Sequence, residues 1–104
     1  MKSGKPIHPT NGIGNAPDAA LTPEGVLISF DLGVNRMRQT TSYIFITNRD
    51  AANPLEVSFA NGRDGLWFAI APSTTEMFPV IVHNCRLRGF TGAIAAYSIL
   101  GIVT

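Results

Sequence analysis

Two side chains able to do acid–base or thiol chemistry stand two residues apart in the body of this chain, His83 and Cys85. In an extended segment that spacing puts both on one face, where an imidazole beside a thiol could activate a nucleophile or supply two metal ligands. Their companions on that face are Ile81 and Leu87, and no third group is placed to orient the imidazole. The favoured reading is a half-buried histidine and a cysteine packed as a small hydrophobe. The other histidine, His8, lies near the N-terminus, and the seven acidic residues are scattered without paired or calcium-loop spacing. Gly12-Ile13-Gly14 opens neither a strand-to-helix turn nor a Walker pattern. The expectation is a non-enzymatic chain with no cofactor, no metal and no small-molecule substrate.

The basic residues say more by type than by number. Both lysines, Lys2 and Lys5, fall in the first 25 residues, and the remainder carries six arginines and no lysine. Arginine forms bidentate pairs with carboxylates and is enriched in interfaces, where lysine is depleted. Arg36/Arg38 and Arg86/Arg88 are each spaced to project to one side of an extended segment, so interface placement competes with plain surface placement. A formal charge of +1 and a charged fraction of 14% leave no field to hold a polyanion. Neither nucleic acid nor a membrane is expected as a partner. The N-terminal residues are followed by Pro, Gly and Asn rather than an apolar run, so a soluble chain made in a cytoplasm is expected. One cysteine excludes an intrachain disulfide.

The elements that must position these residues are strands. With 104 residues there is room for one core. From Val26 the apolar period is two: strands are expected over 26–31, with Val26, Ile28 and Phe30 on one face, and over 42–48, buried on both sides. Others are expected over 55–59, with Leu55, Val57 and Phe59 inward and Glu56 and Ser58 outward, over 66–71, over 76–80 and over 81–88. Pro79 marks 76–80 as an edge. Residues 33–40 read as a connection, 48–54 as a turn, and Asn61-Gly62-Arg63-Asp64-Gly65 carries hairpin-type turn signals. About seven strands predict an all-β fold, an antiparallel β-sandwich or jelly-roll-like barrel.

The two ends of the chain depart from that pattern. Residues 1–25 hold four Pro and four Gly with no alternating apolar run, against nine such residues in all of 26–104. Ordering a backbone costs roughly 1–2 kcal/mol per residue, so this segment reads as an extended arm attached to a 26–104 sandwich, with one possible helical turn capped by Asn15. Removing residues 2–24 is then expected to leave the sandwich folded. At the other end, residues 93–103 carry no charge. Such a strand must be central in its sheet or covered by a second subunit. Tyr97, Ile99 and Ile102 are the expected oligomer contacts.

Tyr43-Ile44-Phe45-Ile46-Thr47-Asn48, then Pro54-Leu55-Glu56-Val57-Ser58-Phe59, then Ile70-Ala71-Pro72-Ser73-Thr74-Thr75 leading to Phe78, and finally Ala95 to Gly101 follow one another in an order that resembles small virion structural proteins of tailed bacteriophages. The resemblance covers about residues 43–104. It implies a capsid decoration (cement) protein on the outer surface of the virion, binding the major capsid protein and itself as a homodimer or homotrimer. No catalytic residues carry over from it. With an arm bridging capsomers, the partner-binding residues expected are Lys2, Lys5, Ile7, Pro9, Ile13 and Leu21, together with Arg36, Arg38, Arg86 and Arg88. The competing expectation is a tail, fibre or baseplate component, or a carbohydrate-recognition sandwich with exposed aromatics around Trp67 or Tyr43.

Overall fold

Period-two apolar segments separated by Pro, Gly and Asn punctuation fold as strands because each can bury one face only against a second sheet. The computed structural model describes residues 4–32, 37–38, 40–60 and 66–103, with 31–32 and 37–38 described by backbone alone. The strands are β1 (Lys5–Ile7), β2 (Ile13–Ala16), β3 (Val26–Ser29), β4 (Asp31–Leu32), β5 (Met37–Arg38), β6 (Tyr43–Asn48), β7 (Leu55–Ser58), β8 (Phe68–Ile70), β9 (Thr75–Phe78), β10 (Asn84–Gly89) and β11 (Ala95–Val103). Nine of them form two antiparallel sheets, as the sandwich expectation required. One sheet runs β1-β11-β6-β9 with β2 also paired to β11, and the other runs β3-β10-β7-β8. β4 and β5 make a short ribbon, of which β5 falls within the 33–40 segment expected as a connection. The turn signals at Asn61–Gly65 lie outside the described residues.

The core is the alternate residues of both inner faces. Ile44, Ile46, Ala95, Tyr97 and Ile99 from one sheet meet Ile28, Phe30, Leu55, Val57, Ile70, Cys85 and Leu87 from the other. At Gly101 the sheets approach closely: a Cβ there would stand 2.6 Å from the Phe30 ring and 2.8 Å from Thr41, so only glycine fits. Asn48 is a fully buried polar residue, and its amide is accounted for. Its Nδ2 donates to the carbonyls of Asn53 (2.9 Å) and Ile70 (3.0 Å), and its Oδ1 accepts from the Asp50 amide. One side chain thereby ties β6 to the following turn and to β8 in the opposite sheet.

Several expectations are corrected. Residues 4–25 are not an extended arm. β1 pairs with Gly101–Val103 and β2 with Ala95–Ser98, so the two lie end to end along the same edge of β11. The physical reason is that this segment contributes backbone rather than apolar periodicity, with Ile7, Ala16 and Ala19 supplying the buried side chains. The helical-turn expectation shifts by three residues: Asn15 lies in β2, and Asp18 organises the turn, its Oδ1 accepting from the amides of Ala20 and Gly92. β6 is buried on one face only, since Phe45 is exposed. Ser58, expected outward, is buried, and Ile81, expected to share a face with Cys85, is 79% exposed.

Candidate functional site

The sequence-predicted residues scatter to four places. On β10, Arg86 and Arg88 project from the outer face of the four-stranded sheet, opposite Ser58 and Glu56 of β7. Arg88 is consumed within the chain: its Nε donates to Glu56 Oε1 at 3.0 Å, an Nη donates to the Pro23 carbonyl, and its guanidinium lies 3.9 Å over the Trp67 ring. Arg88 and Trp67 therefore cover each other on the outer face of this sheet. Arg86 Nε and Trp67 Nε1 are buried on this face without a hydrogen-bond partner among the described residues. Lys2 and Arg36 lie outside the described residues, as does the side chain of Arg38.

In the first 25 residues, Lys5 is exposed, Pro9 half-buried, and Ile13 and Leu21 are 73% and 83% exposed. Ile7 is a core residue, which corrects its expected role in binding a partner. The oligomer contacts expected on β11 are corrected in the same way. β11 is central, between β6 and the β1/β2 edge, so Tyr97 and Ile99 are buried by their own chain. Ile102 faces outward, half-buried opposite Tyr43. Of the two chemistry-bearing neighbours, Cys85 is buried, and burial pushes its thiol up to about 12, so it stays protonated near neutral pH and is a poor nucleophile. No cluster of metal-ligating side chains occurs among the described residues.

The lateral sides of the sandwich hold two features that the sequence reading missed. On one, β8 and β9 each end their sheet, and no described strand pairs with their free edges. Behind them the rings of Phe59, Phe68 and Phe78 meet across the gap, with centroids 5.2 Å apart for Phe59 and Phe78 and 6.2 Å for Phe68 and Phe78. Phe68 is nevertheless 53% exposed, Met77 52%, Leu66 46% and Ile81 79%. On the other lateral side the sheets are stitched. The Thr10 amide donates to the Ser29 carbonyl (2.9 Å), the Ile99 amide to Gly12 (2.7 Å), and the Tyr97 hydroxyl to the Asn11 carbonyl (2.7 Å). Above this stitching, the 8–12 loop and the outer faces of β6 and β11 enclose a cleft of about 600 Å³.

A signal for the open side was present in Leu66 and Phe68, but a single period-two run cannot tell a central strand from an edge. No family model, curated protein or solved structure matches this chain.

Proposed function

We propose that this chain is a non-enzymatic virion structural protein, a capsid decoration (cement) protein that binds and stabilises the assembled head as a homo-oligomer. The observation that supports it is the open side: two sheet edges flanked by exposed Leu66, Phe68, Met77 and Ile81. Unpaired edges beside exposed apolar side chains are the features by which a sheet recruits another chain. The occupant assigned to this side is a second copy of the chain. The likeness of residues 43–104 to phage virion proteins supplies the shell as the further partner, reached after synthesis in the host cytoplasm. A protein that binds only the assembled shell stabilises it by mass action, and an oligomer multiplies the effect by engaging several capsomers at once.

The test is size exclusion with light scattering on the full chain, followed by co-sedimentation with expanded capsids that lack it. The expected result is a dimer or trimer that sediments with the shell, while the double variant Phe68→Glu/Ile81→Glu runs as a folded monomer and binds the shell at least about tenfold more weakly. A wild-type chain that stays monomeric at high concentration and leaves the capsid pellet empty would overturn the proposal.

A further inference from the structure

The geometry points to a second binding site, on the outer face of the five-stranded sheet: the cleft under the 8–12 loop is a site for a neutral oligosaccharide. Its floor is the Phe45 ring and Leu100 on the outer face of the five-stranded sheet, and its rim carries His8, Asn11, Thr47 and Ser98. Among the described residues the side chains of His8, Asn11 and Ser98 have no hydrogen-bond partner, so their polar groups are uncommitted. Thr47 shares its hydroxyl with Thr75 at 2.9 Å and keeps further hydrogen-bonding capacity. The volume, about 600 Å³, falls within the roughly 300–1,000 Å³ of small-molecule sites.

The ligand class follows from what lines the cleft. No lysine, arginine, aspartate or glutamate does so, which leaves a phosphate or carboxylate without a fixed countercharge. An acyl chain would need an enclosed apolar tunnel, whereas this cleft is open and polar at its rim. A sugar ring has one face of C–H groups to lie on Phe45 and Leu100 and a rim of hydroxyls that both donate and accept. Imidazole, amide and hydroxyl groups can donate to and accept from such a rim.

The wall is also held in place before any ligand arrives. Asn11 sits at φ +57, its carbonyl fixed by the buried Tyr97 hydroxyl, and the next residue, Gly12, accepts from the Ile99 amide. A wall ordered in advance removes part of the entropy cost of binding. The cleft lies on the outer face of the five-stranded sheet, with Phe45 and Thr47 of its lining paired to Met77 and Thr75 of β9.

The full chain is to be screened on an array of neutral and anionic bacterial surface glycans, and the strongest neutral binder titrated into ¹⁵N-labelled protein. The expected result is amide shifts confined to residues 8–13, 45–47 and 98–100. Asn11→Gly, which the positive φ tolerates, weakens binding about five- to tenfold, the loss of one neutral hydrogen bond. Ser98→Leu, which fills the cleft, abolishes binding, with thermal unfolding of both variants checked by circular dichroism. Absence of neutral binders, binding confined to anionic glycans, shifts that map to another face, or unchanged affinity in a folded Ser98→Leu variant would each overturn the inference.

Discussion

The two lateral sides of the sandwich are closed by opposite means. Along β1, β2 and β3 the closure is made of backbone: end-to-end strand pairing with β11, the Thr10–Ser29 link and the Tyr97 hydroxyl on Asn11, from a segment with only three buried apolar side chains. Along β8 and β9 it is made of rings, Phe59, Phe68 and Phe78, and no described strand covers the free edges. β1, β2 and β3 end their sheets as β8 and β9 do, but the Thr10–Ser29 link joins the first pair of edges by main-chain hydrogen bonding, whereas the rings fill the gap between sheets without pairing the β8 and β9 edges. Ile13 of β2 and Leu27 of β3 are exposed on the first side as well, so what sets the β8/β9 side apart is its ring cluster flanked by exposed Leu66 and Met77.

The sharpest way to break this comparison is to remove the stitching. Deleting residues 2–24 takes away both partners of one edge of β11 along with Ile7, Ala16 and Ala19. The expected outcome is loss of cooperative unfolding in denaturant, followed by circular dichroism and tryptophan fluorescence. A truncated chain with an intact two-state transition would restore the free-arm reading of the segment.

A smaller effect separates the sides by single residues. Ile7→Ala opens a cavity in the core and is expected to cost about 2–5 kcal/mol. Phe68→Ala, on a side chain more than half exposed, is expected to cost well under half as much while reducing self-association. Equal losses from the two, measured by urea titration at low protein concentration, would mean that the open side is as integral to the monomer as the stitched one.

The sequence made the inner faces legible. Alternation at Ile28/Phe30, Leu55/Val57 and Cys85/Leu87 places each of these residues in the core as expected, and Pro79 follows an edge strand, β9. Charge-free β11 is the central strand, the first of the two positions its composition allowed. The first 25 residues were illegible because main-chain pairing leaves no mark on side-chain periodicity, and Ile7 alone is too short a signal for a strand. The arginine spacing on β10 was read correctly as one face. Which partner satisfies Arg88 depends on Glu56, Pro23 and Trp67, residues distant in sequence that only the fold brings to it. The cleft was hidden for the same reason, since His8, Phe45 and Ser98 meet only after β11 has paired on both sides.

Native-state hydrogen exchange on the full chain, read by mass spectrometry at low and high protein concentration, tests the contrast between the sides most directly. The account predicts that the β1 and β2 amides that pair with β11 exchange as slowly as those of β6 at both concentrations. Amides of β8 and β9 are expected to exchange quickly in dilute protein and to gain protection as the protein associates. Rapid exchange over residues 5–16, or β8 and β9 amides whose protection ignores concentration, would contradict it.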